Sequence, residues 1–291
     1  MTYDGVPPIL ELRGFRYTYL EGTPRAVEAI RDVSFRIQRG ERVGIVGPTQ
    51  SGKSTLIDAF AHLLRVKPGQ VFYEGQDVAA PDYDRQELRR RVGIVFQRPE
   101  SQIIEDVVGA DVAFGPTAAG LPAAETRERV EESLNALGLP YPDYRLRYVH
   151  ALSGGQRRRV AIAGVLAMRT PVLVLDEPMA GLDPRGRREL LELLIRLQRD
   201  RDLTLIVCSA SLTDASLLCD RFVVLDRGSV VADGPAREVL GESDRLAELD
   251  ITLPEPVIAA RELRKVFADF PTELLTEDEL EAELQQRIGG P

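Results

Sequence analysis

The sequence of 291 residues contains no tryptophan, two cysteines and two histidines, which leaves little material for a metal centre. Cys208 and Cys219 match no metal-ligand spacing, and a reduced cytosolic compartment is their simplest interpretation. The longest uncharged apolar run, residues 160–168, is about half of the roughly 18 residues that a membrane-spanning helix needs. The N-terminus has no basic stretch before an apolar core, so we expect no secretion signal.

The chain has fewer basic residues than acidic ones, 37 against 46. The formal net charge is −9 and the isoelectric point is near 5.0, which argues against nucleic-acid binding as the main function. Arginine runs at residues 89–91 and 157–159 are local basic patches, which we interpret as solvated or partner-facing surfaces. We therefore expect no nucleic-acid partner.

Short apolar segments recur along the chain, and helical segments separate most of them. A first strand-like stretch covers residues 9–37, where aromatic residues alternate at period two. Further strands are predicted at residues 42–46, 69–74, 91–96, 172–175, 203–208 and 222–225. Buried strands alternating with helices predict an α/β fold with a largely parallel sheet covered on both faces.

Two segments differ from this pattern. Residues 99–167 are rich in alanine, glutamate and arginine, and we interpret them as a mostly helical subdomain inserted into the α/β core. Residues 247–291 contain Pro254 and Pro256 and, further on, a capping-box pattern at residues 276–279, which predicts a small C-terminal helical extension. The main domain is then expected at residues 8–246.

A phosphate-binding loop is predicted at residues 47–54, GPTQSGKS, which match G-x-x-x-x-G-K-[ST] between a strand and a helix. The N–H groups of such a loop and of the following helix start bind phosphate. Lys53 adds positive charge toward the β- and γ-phosphates, and the Ser54 hydroxyl reaches Mg²⁺. The predicted ATP contacts here are Gly47, Pro48, Thr49, Gln50, Ser51, Gly52, Lys53, Ser54 and Thr55.

Two carboxylates follow a buried strand in residues 172–177, VLVLDE. In an open parallel sheet, ligands bind at the edge where the strands end. We predict that Asp176 holds the magnesium shell and that Glu177 polarises the water that attacks the γ-phosphate. A strand that ends in Asp-Glu is common by itself, but behind a phosphate-binding loop it predicts triphosphate hydrolysis.

Residues 152–156, LSGGQ, place a serine and two glycines before a predicted helix, which makes a second phosphate-binding helix start. With these three motifs, residues 8–240 resemble the ATP-binding cassette (ABC) ATPases. The resemblance implies a P-loop NTPase fold with an antiparallel β subdomain, a mostly parallel core sheet, an inserted helical subdomain and a C-terminal helical extension. It also implies that Ser153, Gly155 and Gln156 close over the ATP that another subunit holds.

The resemblance assigns further roles. Tyr17 matches the aromatic residue that stacks on adenine, although its aromatic neighbours at period two leave open that it packs inward. Gln97 matches the glutamine that approaches Mg²⁺ and signals to a membrane partner, and it joins Lys53 and Glu177 as a catalytic residue. Residues 180–183 match a loop at the dimer interface.

Residues 92–102, 111–116 and 159–168 are similar to the energy-coupling factor (ECF) transporter ATPases, which energise uptake of vitamins, cobalt or nickel. The C-terminal tail also resembles the extension of that group, which helps to hold two ATPase subunits together. The implied partners are a second ATPase subunit, expected to be a paralogue, a membrane-embedded coupling subunit and a substrate-binding membrane protein. The implied location is the cytoplasmic face of the cell membrane, as a peripheral subunit.

The chain departs from the family pattern at four positions, Gln50, Ala110, Met179 and Ala210. Ala210 stands where the family has a switch histidine, and neither His62 nor His150 can replace it by position. Losing a preorganised donor to a transferring phosphoryl group costs about 3–4 kcal/mol by analogy with oxyanion donors, so we expect ATP binding but slow hydrolysis. Gln50 replaces a usual glycine, which strains the loop if that position needs a positive φ.

Two alternatives stay open. The first is a degenerate regulatory nucleotide-binding subunit with little hydrolysis, which Ala210 favours and the intact Glu177 disfavours. The second is a non-transport ABC ATPase of DNA repair or translation. Such proteins usually carry a long coiled-coil insertion or two cassettes in one chain, and neither pattern is present in this sequence.

Overall fold

The computed structural model describes residues 6–288, which form two β-sheets with helices packed around them. The strands are β1 (Leu10–Tyr19), β2 (Val27–Ile37), β3 (Arg42–Val46), β4 (Val71–Tyr73), β5 (Gln76–Asp77), β6 (Val92–Val95), β7 (Val172–Asp176), β8 (Thr204–Ser209), β9 (Arg221–Asp226) and β10 (Ser229–Pro235). The α-helices are α1 (Lys53–Phe60), α2 (Arg85–Arg91), α3 (Val108–Ala118), α4 (Ala123–Ala136), α5 (Tyr141–Tyr144), α6 (Gly154–Ala167), α7 (Pro184–Arg201), α8 (Leu212–Ser216), α9 (Ala236–Gly241), α10 (Ser243–Glu248), α11 (Glu255–Arg264) and α12 (Glu277–Ile288).

The larger sheet has the strand order β10-β9-β3-β8-β7-β6. Its strands pair in parallel except for β10, which pairs antiparallel with β9 at one edge. The smaller sheet is antiparallel, with the order β2-β1-β4-β5. The predicted combination of an antiparallel β subdomain with a mostly parallel core sheet is therefore confirmed.

Alternate residues of the parallel strands supply two separate hydrophobic clusters. On β7, Leu173 and Leu175 belong to the cluster beneath the helices, whereas Val172 and Val174 belong to the cluster that includes α1 and the antiparallel sheet. Burying an aliphatic side chain of this size contributes about 1.5–3 kcal/mol. Both faces of the sheet are thus covered, as the continuously apolar strands predict.

The segment between β6 and β7 consists of helices and turns, apart from an isolated bridge between Val107 and Tyr148. In this segment α3, α4 and α6 pack against one another and form part of the larger hydrophobic cluster. The helix start of α6 lies at the end of this segment, so its orientation depends on the packing of the helices around it.

The last helices form a small cluster of their own around Ala260, Phe270 and Leu274. Hydrogen bonds, ion pairs and the buried Leu253 and Val257, which belong to the larger hydrophobic cluster, connect this region to the main domain. Arg237 pairs with Glu279 at 2.5 Å, and the Leu212 N–H donates to the Thr252 carbonyl at 2.9 Å. Residues 289–291 of the predicted extension lie outside the described residues.

Candidate nucleotide-binding site

The loop after β3 lies at the carboxyl edge of the parallel sheet. Val46 ends β3 and stands in register with Ser209, which ends β8. The Gly47 N–H donates to the Ser209 carbonyl at 3.3 Å, and the Gly228 N–H donates to the Ser51 carbonyl at 2.9 Å. The loop is therefore attached to β8 on one side and to the β9–β10 hairpin on the other.

The Lys53 side chain is nearly buried at the start of α1, with 8% of its surface exposed. Its ammonium donates to the carbonyls of Gly47 and Pro48 at 2.6 and 3.0 Å. Burial lowers the pKa of Lys53, while the charges of Glu177 and Asp176 oppose that shift. A desolvated cation at the start of a helix makes this position favourable for an anion.

Steric space and backbone conformation restrict which residues fit at three positions of the loop. A Cβ atom on Gly47 would lie 2.2 Å from the Leu225 carbonyl oxygen, so only glycine fits there. Gly52 has a φ of +110°, which only glycine adopts readily. Gln50 has a φ of +68°. The condition for strain at Gln50 is thus met, at a cost of about 1–2 kcal/mol for an L-residue in the left-handed region.

The carboxylate of Glu177 is fixed by the end of β8. It accepts hydrogen bonds from the Ser209 hydroxyl at 3.0 Å and from the Ala210 N–H at 2.7 Å. The Glu177 N–H in turn donates to the Cys208 carbonyl at 2.8 Å, and Glu177 has a φ of +45°. The Ser209 hydroxyl and the backbone at residues 208 and 210 therefore position this glutamate.

Asp176 lies beside Glu177 at the end of β7, where burial and the charge of Glu177 raise the pKa of Asp176 to about 6. The charge of Lys53 acts in the opposite direction. Two neighbouring carboxylates repel each other when they are partly removed from water. A cation that binds to the carboxylates and to a phosphate would reduce this repulsion and favour the ionised forms of both carboxylates.

These groups surround a cavity of about 670 Å³, within the size range of small-molecule sites. The predicted residues that line it are Thr49, Gln50, Gly52, Lys53, Ser54, Thr55, Gln97, Asp176 and Glu177. Gly47, Pro48 and Ser51 belong to the same loop but do not line the cavity. The lining residues that sequence reasoning missed are Tyr19, Val27, Glu28, Ala29, Arg31 and Arg227.

The aromatic residue at the cavity wall is Tyr19, whose hydroxyl lies 3.2 Å from the Thr55 hydroxyl. Tyr17 is partly buried against the cluster around α1 and contacts Tyr19 edge-to-face, with ring centroids 4.8 Å apart. Period two places both rings on the same side of β1. Adenine stacking by Tyr17 stays a prediction, and Tyr19 is the second candidate for that role.

Residues 152–156, LSGGQ, which we call the signature residues, do not line this cavity. Ser153 caps α6 through a reciprocal capping box with Gln156, and the Gln156 amide also donates to the Tyr144 hydroxyl at 3.0 Å. Ser153 is exposed and Gly155 is half-exposed, so the N–H groups of this helix start face outward. A phosphate bound there would lie outside the cavity that holds Lys53.

The residues at the cavity fit a nucleoside triphosphate with a divalent cation. The left-handed Gly52, the start of α1 and the buried Lys53 supply a cradle of donors and positive charge for phosphate. Ser54, Gln97 and Asp176 line the same cavity and offer the oxygen ligands that Mg²⁺ prefers.

The ABC transporter family model matches residues 30–180 of the chain. The ECF transporter ATP-binding protein EcfA2 of Caldanaerobacter subterraneus is 38% identical over 281 residues, which is 97% of this chain and 98% of that protein. EcfA1 of Symbiobacterium thermophilum is 42% identical over 288 residues, which is 98% of this chain and 99% of that protein.

Solved structures give the same result. The structure of cbiO1 from Clostridium perfringens, part of the ABC transporter complex cbiONQ, superposes with a TM-score of 0.73 at 35% identity over 84% of this chain and 95% of that chain. A dimeric ATP-binding cassette with bound ADP and phosphate has a TM-score of 0.67 at 28% identity over 78% of this chain and 98% of that chain.

Fold and site together define a P-loop ATPase with an inserted helical subdomain. The chain belongs to the ABC transporter family and, within it, to the ECF transporter ATP-binding proteins. ATP binding, and ATP hydrolysis coupled to transport, are the activity that this membership establishes. Among residues 6–288, no helix is both long enough and apolar enough to span a bilayer.

The left-handed conformation of Gln50 yields a stability prediction. Gln50→Gly should raise the free energy of unfolding by about 0.5–1 kcal/mol, because glycine adopts a positive φ without steric cost. Thr49→Gly, next to it in the loop, should lower this free energy by a similar amount, because Thr49 does not have a positive φ. Chemical denaturation of both variants measures the effect, and a loss of stability in Gln50→Gly would contradict the strain at this position.

Proposed function

We propose that this chain is the ATP-hydrolysing subunit of an ECF-type uptake transporter and that it works as a dimer with a second ATPase subunit. The observation that carries the proposal is the separation of two phosphate-binding helix starts. The start of α1 lies in the cavity, whereas the start of α6 is exposed and lies outside it. The N–H groups at the start of α6 therefore complete the ATP site of a second subunit. The corresponding helix start of the second subunit completes the ATP site of this chain.

The chemistry follows from the residues at the cavity. Lys53 and the N–H groups of the loop bind the β- and γ-phosphates and stabilise the charge that spreads over the transferred group. Glu177 orients the attacking water and accepts its proton, and the hydrogen bonds from β8 keep its carboxylate in place. Mg²⁺, held by Ser54, Gln97 and Asp176, would neutralise phosphate charge.

The second ATPase subunit is proposed to be a paralogue. Symbiobacterium thermophilum has both an EcfA1 and an EcfA2 protein, and each is 42% identical to this chain. Ala210 weakens this chain's own hydrolytic site, whereas its signature residues are intact. A chain of this kind works best beside a subunit whose own site is complete, so the two ATP sites of the dimer are unequal.

The membrane coupling subunit is proposed to dock beside Gln97. Phe96 precedes it and is 37% exposed, and the Phe96 N–H donates to the side-chain carbonyl oxygen of Gln102 at 2.9 Å. Ile104 and Phe114 are 65% and 44% exposed and line a neighbouring cavity with Gln102. Exposed apolar side chains grouped on one surface are typical of protein interfaces. Such docking makes the chain a peripheral subunit on the cytoplasmic face of the membrane.

The transported substrate is proposed to be a vitamin or a transition-metal ion, which a separate membrane protein recognises.

The extension at residues 247–291 is proposed to contribute to the dimer contact, because Ile258 and Val266 on its surface are 47% and 75% exposed. A regulatory subunit without turnover is the alternative that Ala210 keeps open. Measured hydrolysis in the assembled dimer distinguishes it from the transport ATPase.

Removal of the buried cation tests the phosphate cradle. Lys53→Ala should weaken MgATP binding about ten- to hundredfold, because a hydrogen bond to a charged group contributes about 1.5–3 kcal/mol. Lys265→Ala is the matched control, since Lys265 is exposed on the surface and pairs with Glu262. Isothermal titration calorimetry measures both, and unchanged affinity in Lys53→Ala would rule out this cradle.

A substitution at the exposed helix start tests the shared site. Ser153→Arg should abolish ATP turnover at the partner's P-loop, because a long side chain fills the space that the phosphate needs, while ATP binding to this chain stays within about twofold. Gln76→Arg adds the same side chain at an exposed position of β5 and should have no effect. Turnover that survives Ser153→Arg in the assembled complex would contradict the shared site.

Restoring the missing donor tests the inequality of the sites. Ala210→His should raise phosphate release at this chain's site by at least tenfold, because one preorganised donor contributes about a hundred- to thousandfold in rate. Ser211→His, one residue further along, is the control for adding an imidazole nearby. Steady-state phosphate release is compared with and without the partner. Rapid turnover by the unmodified chain, with no gain in Ala210→His, would make the unequal sites untenable.

A further inference from the structure

A second cavity, of about 810 Å³, lies at the opposite end of α1 from the phosphate-binding loop. Its walls come from the turn after α1 and from α2. The charged and polar residues that line it are Glu21, His62, Arg65, Lys67, Arg85 and Arg89. Cations therefore outnumber carboxylates in this cavity, although the protein as a whole carries a net charge of −9.

Most of this positive charge is not neutralised by the protein. Lys67 pairs with Glu21 at 3.5 Å, and both side chains are about two-thirds exposed. Arg65, Arg85 and Arg89 make no hydrogen bond or ion pair with any of the described residues. Glu87 lies on α2 between Arg85 and Arg89, but its carboxylate pairs with Arg91. Three guanidinium groups are thus available to a ligand.

His62 supplies an independent observation at the wall of the same cavity. Its side chain is 8% exposed, and its Nδ1 atom is buried without a hydrogen-bond partner among the described residues. Its φ of +51° departs from the helical backbone at the end of α1. Burial, together with the charges of Arg85 and Arg89, lowers the pKa of His62. Buried polar atoms are nearly always paired, and of the unpaired buried atoms in the described part of the chain only this ring nitrogen belongs to a residue that lines this cavity, so it is available to a ligand there.

We propose that this cavity is a second anion site, which binds a phosphate-bearing ligand through Arg65, Arg85, Arg89 and His62. Several guanidinium groups and one imidazole around a single cavity match the several acceptor oxygens of a phosphate group. The phosphate belongs either to a soluble phosphorylated compound or to the headgroup of an anionic phospholipid. The proposal does not depend on the transport function, because none of these residues contributes to the ATP cavity.

The scarcity of histidine allows a direct test. The imidazole groups of His62 and His150 are the only two in the chain, so a ¹⁵N-labelled sample gives two resolvable sets of ring signals. His150 is exposed and stacks beside Tyr148, which makes it an internal control. The P-loop is first saturated with MgADP, so that an added anion cannot report on that site. Inorganic pyrophosphate is then titrated in one arm, and bicelles with or without phosphatidylglycerol in the other.

We expect a saturable shift of the His62 ring signals and none of the His150 signals. The double substitution R85A/R89A should weaken the binding at least tenfold, because it removes two charge-assisted contacts. Arg90→Ala is the matched control, since Arg90 is exposed on the same helix but does not line the cavity, and should bind like the unmodified chain. A response to pyrophosphate identifies a soluble ligand, and a response to phosphatidylglycerol alone identifies a lipid. No shift of His62 with either probe, or equal affinity in R85A/R89A, would overturn the proposal.

Discussion

The parallel pairing of β3, β8 and β7 is the constraint on which the site depends. It sets Val46 beside Ser209 and Asp176 beside Cys208, so the phosphate-binding loop and the carboxylates emerge at the same edge. Alternate residues of these strands supply different hydrophobic clusters. A slip of one residue would turn every side chain to the wrong face, so core stability and site geometry depend on the same register.

At that edge the charged groups are arranged to receive both a phosphate and a cation. Burial disfavours the charged forms of Lys53 and Asp176, and each opposes the shift in the other. Glu177 obtains its orientation from Ser209 and the backbone of Ala210, so its placement does not require a histidine. The proposed loss of a phosphoryl-group donor at Ala210 therefore concerns the rate of hydrolysis and not the placement of Glu177.

The sequence predicts those parts of the site that a local pattern encodes. The phosphate-binding loop, the carboxylate pair and the start of α6 each have a fixed spacing in the sequence. Arg31 and Arg227 line the cavity because segments that are distant in the sequence pair there. One such contact is the 2.7 Å hydrogen bond from the Arg31 N–H to the Gly228 carbonyl. Strand β10 has no apolar run because it is a half-exposed edge strand, and it was not predicted. The sequence does not decide whether Tyr17 or Tyr19 stacks on adenine. Both residues lie on the same side of β1 by the period of two, so only the side-chain directions in the structure distinguish them.

The central claim is that one chain holds only half of each ATP site. Its most direct test is the specific ATPase activity of the purified chain, measured over a wide range of chain concentrations at saturating MgATP. The account predicts that activity per chain falls toward zero on dilution and returns when a second ATPase subunit is added, because the α6 start must come from another molecule. Activity per chain that is high and independent of concentration would contradict it.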